Sequence, residues 1–228
     1  LTVNIEPIEE KRYILPEDIG KLIKETFYGE DNPKTVQELL SDETLGTINL
    51  KALEEVIDNY AWVKSSDVYV DANNNITVNI IQRKPILRCF DERNNAFYID
   101  EFAHQMPVSE HQTARVIVAN GYIKNPEEGT KEDSLYNVVD SLCKLALFIQ
   151  KDTFLTAQFE QIYVERNQDF TLIPKVGDSE VLLGDLRLLE DKFKRLRVFY
   201  LEAMPREGWR KYGKINLKYK KQVVGVKN

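Results

Sequence analysis

His104 and His111 are the only histidines of the 228 residues, and Asp100, Glu101 and Glu110 stand close by in sequence. Imidazoles and carboxylates so near one another could hold a metal. However, the spacing is not HExxH or any similar helical pairing, and Met106-Pro107 makes the stretch turn-like. An exposed polar loop accounts for it better. Cys89 and Cys143 lie far apart with no CxxC, which argues against a metal site. Cys143 falls on the apolar side of a helical pattern, where a small buried hydrophobe is expected. A bridge between the two cysteines demands strict geometry, and the spacing does not decide it. Ser109, Ser134 and Ser141 have no base and orienter in a recognisable pattern. GxSxG, P-loop and GxGxxG motifs are absent. Abundant carboxylates do not by themselves make an acid–base pair, which needs a defined separation across a cleft. The sequence therefore predicts no catalytic centre, no metal and no cofactor.

The elements that would position these side chains fall into two parts. In the first, LTVNI alternates as a short strand. Pro16 opens a helix through Phe27, with Ile19, Leu22 and Ile23 as its apolar stripe and Glu17 and Asp18 near its positive end. TVQELL adds a helical turn. Asn49 is a good N-cap for LKALEEVIDNY, whose Leu50, Leu53, Val56 and Ile57 share a face. SDVYV and ITVNIIQ flank the asparagine-rich turn 71–75 as a hairpin. Pro85, which cannot donate to a central ladder, is read as ending this part.

The second part, from about Leu87, is richer in strands: AFYID, ARVIVANG, QIYVERNQDFTLIPKVG and EVLLG. Two helices interrupt them. One is expected from Asp133 to Gln150 on the spacing of Leu135, Val138, Val139, Leu142, Leu145 and Ile149. The other is expected from Asp185 to Glu202 on Leu186, Leu189, Phe193, Leu196 and Tyr200, with Gly208-Trp209 closing it. The fold class is thus α+β. The chain closes on INLKYKKQVVGVKN, where Ile215, Leu217 and Tyr219 alternate with Asn216, Lys218 and Lys220 as in a half-buried strand.

Composition narrows the partners. A net charge of −6 and a pI near 5.2 argue against nucleic acid, and no apolar run is long enough to cross a membrane. Residues 1–86 hold 9 Lys/Arg against 16 Asp/Glu, whereas 187–228 hold 13 against 4. An acidic first part thus contrasts with a basic end. Lysines on a last strand blunt an open edge or mark its use.

Several motifs in this order resemble the FtsQ/DivIB family of bacterial cell-division proteins, most of all its Bacteroidetes branch. INLKALEEVIDNYAWVKSSDVYV resembles the second helix and hairpin of a POTRA domain, and ITVNIIQRKPILRCF its exit. YIDEFAHQMPVS is similar to the family's segment Y-I-D-x-x-G-x-x-x-P-L/V-S, with Ala103 where Gly is usual. ARVIVANG, EVLLGD and LLEDKFKRLRVFY follow in the family's order. The resemblance implies a POTRA domain (β-α-α-β-β) over 1–86. It implies a β domain over 87–228, dominated by an antiparallel sheet with two helices and closed by a partner-binding strand. It also implies a non-enzymatic divisome scaffold in the inner membrane at the septum. A single transmembrane helix would precede Leu1, and this part of the chain would be periplasmic. Its partners would be FtsB/DivIC-like and FtsL-like proteins that add a strand to its edge, and other divisome membrane proteins that contact the POTRA unit.

Carried over residue by residue, the resemblance points to Lys218 and Tyr219 as the basic-Tyr step, with Lys220 beside them. Val223, Val224 and Gly225 match the small apolar run with its Gly. Val226 stands where the family has Trp, and Arg166 is the nearest match to a basic partner contact. Strand addition would draw affinity from the main chain, with the lysines favouring an acidic peptide. Two other readings remain at this level. One is a POTRA-type docking module of outer-membrane protein biogenesis, which predicts repeated units and a following barrel. The other is a cell-wall enzyme using Asp100–His111.

Overall fold

The computed structural model describes residues 1–42, 48–124, 135–208 and 210–227. In chain order the first elements are β1 (Thr2–Glu6), α1 (Pro16–Tyr28), α2 (Val36–Asp42), α3 (Leu50–Asp58), β2 (Val63–Val70) and β3 (Ile76–Gln82). Then come β4 (Pro85–Phe90), β5 (Ala96–Asp100), β6 (Gln105–Pro107), β7 (Ile117–Gly121), α4 (Leu135–Gln150) and α5 (Thr153–Gln158). The last are β8 (Phe159–Val164), β9 (Phe170–Pro174), β10 (Glu180–Gly184), α6 (Leu189–Val198), α7 (Met204–Glu207), β11 (Tyr212–Asn216) and β12 (Val224–Lys227). The chain divides into two units. One is Leu1–Lys84 with Gln105–Ala114, and the other is Pro85–His104 with Arg115–Asn228.

The first unit has the POTRA-like order of a strand, helices and a hairpin. Its sheet runs β1-β3-β2, with β1 parallel and β2 antiparallel to β3. Ile19 and Ile23 of α1, Leu53 and Ile57 of α3, and Val78 and Ile80 of β3 form the dry interior. Asn49 caps α3 by accepting from Ala52 N at 3.1 Å. Asn74 takes φ 62° in the β2–β3 turn, a conformation that asparagine tolerates. Buried Gln82 ties the unit together. Its Oε1 accepts from Tyr13 N at 2.7 Å, and its Nε2 donates to Glu6 O at 2.7 Å.

The second unit lays its strands in the order β12-β11-β10-β9-β8-β7-β4-β5. Within it β11–β10, β8–β7 and β7–β4 pair parallel and the other neighbours antiparallel, so the sheet is mixed. One face packs Leu87, Ile162, Leu172, Val181 and Ile215 against Leu142 of α4, Leu155 of α5 and Leu196 of α6. Burying each such side chain is worth about 1.5–3 kcal/mol. Cys89 and Cys143 are free and buried in this cluster, and Cys143 Sγ donates to the Glu101 carbonyl at 3.5 Å.

The opening stretch of the first unit stops at Lys84, and Pro85 heads β4, a strand flanked by β7 and β5, where the first residue needs no N–H. Two expectations need correction. The late helix starts at Leu189 rather than Asp185, because Asp185 folds a turn instead. Its Oδ1 accepts from Arg187 N at 3.1 Å and from Lys192 Nζ at 3.0 Å, and Leu188 takes φ 55°. That helix then widens into a π turn at Phe199–Ala203, just before Pro205, which has no N–H to continue the ladder. Finally, the tail is a hairpin, not one strand: β11 stops at Asn216, and β12 returns antiparallel to it. The expected first helical residues Asp133 and Ser134, and Trp209, lie outside the described residues.

Candidate functional site

β12 is the last strand of its sheet, and among the described residues it has a neighbour on one side only. An edge strand of this kind presents backbone N–H and C=O groups to any chain that lies alongside. Register fixes what its side chains do. Ile215 pairs with Gly225, Lys214 with Val226 and Asn216 with Val224. Ile215 is in the core, so Val224 and Val226 project to the opposite face, where both are exposed. Gly225 is needed on the covered face because a Cβ there would lie 2.5 Å from the Tyr212 ring. Val223, just before the strand, packs partly against the core.

The loop from Leu217 to Gln222 carries the rest of the expected residues. Leu217 is buried, and its N–H bonds to Leu182 O at 3.0 Å, so the alternation read from the sequence continues one residue past the strand and then ends. The Tyr219 ring is 52% exposed. Lys220 and Lys221 are exposed, and Lys221 turns the chain at φ 60°. Lys218 reaches back to the β8–β9 turn, where its Nζ meets Asp169 Oδ2 at 2.5 Å. Its stem lies over Gly184, at which a Cβ would be 2.9 Å from Lys218 Cγ and the backbone has φ 73°. Glycine is therefore required there twice over. Arg166 sits in that same β8–β9 turn, with its guanidinium 5.9 Å from the centre of the Tyr122 ring. Asp169 thus links the turn that bears Arg166 to the loop that bears Lys218 and Tyr219.

Sequence reasoning missed the residue that shapes this loop. Arg195 of α6 donates from Nη1 to Tyr219 O at 3.0 Å and to Gln222 O, and from Nη2 to Leu217 O at 3.5 Å. Its Nε meets Asp191 at 2.9 Å. One rigid five-donor fork, only 15% exposed, thereby fixes three carbonyls of the β11–β12 loop. Its i,i+4 spacing from Asp191 was visible, but nothing in the sequence joined it to the tail. Near the same end of the sheet, Lys192 is buried. It donates to the Asp185 carbonyl at 2.7 Å as well as to the carboxylate. Burial works to raise the Asp185 pKa, but the bonds from Arg187 and Lys192 outweigh it and hold the carboxyl at about 2.

The histidines serve other ends. His111 belongs to the first unit, where Nε2 is 2.8 Å from Asp18 Oδ2. His104 belongs to the second, exposed and 3.5 Å from Asp100, whose carboxylate accepts from the backbone of Phe102 and His104. Ser109 donates to the Tyr13 carbonyl at 2.5 Å. No group of three or more metal-binding side chains occurs among the described residues.

A family model described as FtsQ/DivIB, C-terminal related, matches residues 84–226, from just before β4 into β12. It spans more than half the chain and includes the whole loop held by Arg195. No curated protein shows a significant match.

Proposed function

The chain belongs to the FtsQ/DivIB family, a family with a role in cell division, and from that membership we propose a non-catalytic division scaffold that docks a partner's extended segment along the outer side of β12. The observation that carries this reading is the C-terminal hairpin. Its last strand is unpaired on one side among the described residues, and its loop is fixed in advance by Arg195. Each backbone hydrogen bond to an added strand contributes about 0.5–1.5 kcal/mol net. Holding the edge still lowers the entropy lost on docking. Val224, Val226 and Tyr219 supply apolar contact, and with Val226 in place of an aromatic the backbone carries a larger share. Lys218, Lys220 and Arg166 steer an acidic segment more than they hold it.

In this reading the partners are FtsB/DivIC-like and FtsL-like proteins. The two units described are periplasmic, at the septum, and a single inner-membrane helix precedes Leu1. None of the described helices is long and apolar enough to cross a membrane. The first unit serves as the POTRA domain of the scaffold.

Calorimetric titration with the extracytoplasmic part of an FtsB-like protein tests the site. Deleting residues 222–228, or replacing Val224 and Val226 together by Asp, should weaken binding at least tenfold while the far-UV spectrum is kept. Unchanged affinity in both variants would rule out β12 as the docking edge.

A further inference from the structure

The second unit carries a cavity of about 260 Å3 lined by residues of α4, α5, β4, β7 and β8. Its floor is dry: Ile86, Ala146, Ile149 and Phe159 are each no more than 6% exposed. Its rim is charged, with Arg115, Lys175 and Glu160 all exposed. Lys175 Nζ donates to the Thr156 carbonyl at 2.8 Å, which leaves it two further N–H groups. Arg115 makes no hydrogen bond or ion pair among the described residues. An apolar floor left open to water is unfavourable in proportion to its area, and two cations beside it find one carboxylate between them. The volume lies below the roughly 300–1,000 Å3 of cofactor-sized sites, so a single side chain is the better fit.

We propose that this pocket seats an aliphatic side chain of an extended partner segment, with an Asp or Glu two residues away held by Arg115 and Lys175. The spacing follows from the pleat, because alternate residues of an extended chain face the same way. The net positive rim selects a carboxylate at the second position and repels a lysine. Neither β12 nor the loop 217–222 lines the pocket, so this site stands apart from the docking edge proposed above.

The probe is the blocked pentapeptide acetyl-Ala-Leu-Ala-Glu-Ala-amide, titrated into the full chain with methyl NMR as readout. The Ile86, Ile117 and Ile149 methyls should shift. Replacing the peptide's Glu by Gln should weaken binding about fivefold, and replacing its Leu by Ser about tenfold. In the Arg115→Gln, Lys175→Gln double variant, both at exposed positions, the Glu and Gln peptides should bind alike with the remaining spectrum unchanged. The proposal fails if the two peptides bind the native chain equally, if the shifts fall elsewhere, or if octanoate moves these methyls and the peptide does not.

Discussion

Ala103 has φ 64°, in the left-handed region where a Cβ meets the following carbonyl. The turn around it is held by Asp100, whose Oδ1 accepts from Phe102 N at 2.9 Å and His104 N at 2.8 Å. Glycine, which the family pattern has at this position, would relieve the strain but would lose more freedom on folding. Ala103→Gly should therefore raise stability by about 0.5–1 kcal/mol net, read as a higher urea midpoint at unchanged slope. This position was legible in YIDEFAHQMPVS, since the pattern itself marked Ala103 as the odd residue. Asp185 was not legible, because its partner Lys192 reads as one more solvated lysine until its burial is seen. With a folded pKa of about 2 against about 3.9 unfolded, the Asp185 carboxylate adds stability that is present above pH 4 and lost as pH falls toward 2. The carboxylate is 41% exposed, so screening leaves about 1 kcal/mol of the effect. Acid titration of Asp185→Asn should show that much less loss of stability between pH 4 and 2 than the native chain.

At the scale of elements, periodicity located α1, α3 and β10, which bury residues at regular spacing. By contrast β3 and β5, buried at consecutive positions, were legible from β-branched and aromatic residues between turn signals. Periodicity failed where geometry depends on a distant partner. The run Ile215, Leu217, Tyr219 alternates through the end of β11, since Leu217, one residue past the strand, still packs into the core while its N–H bonds to Leu182 O. The return of the chain as β12 is shaped by Arg195, a residue of another element. Replacing Arg195 by Met keeps the stem and removes the fork. The carbonyls of Leu217, Tyr219 and Gln222 would then turn to water, and the loop would lose its fixed shape. Arg195→Met should speed hydrogen exchange in 217–226 at least tenfold while amides of α6 stay protected. If the proposed docking edge is right, it should also weaken partner binding mainly through faster dissociation. Slowed exchange or an unaltered loop would show that the hairpin holds itself.

On the scale of the whole molecule, the chain leaves the first unit at Lys84 and contributes Gln105–Ala114 back to it before continuing as the second. Nothing in the local pattern announces this return. The sequence reads 87–228 as one stretch, and PVSEH carries no periodicity that would tie it to helices ninety residues earlier. The tie is made by individual polar contacts. Ser109 donates to Tyr13 O, and His111 meets Asp18, whose other role is to accept from Leu15 N at the head of α1. A chain cut at residue 84 therefore lacks part of its own first unit. It leaves the Tyr13 carbonyl and the Asp18 carboxylate without those partners, worth together about 2 kcal/mol after allowing for partial exposure. Residues 1–84 alone should show amide protection in β3 and α3 lower by roughly thirtyfold than the same amides in the full chain. Supplying 105–114 through a flexible linker should restore it. Equal protection in the two chains would mean that the returning segment rests on the first unit without stabilising it.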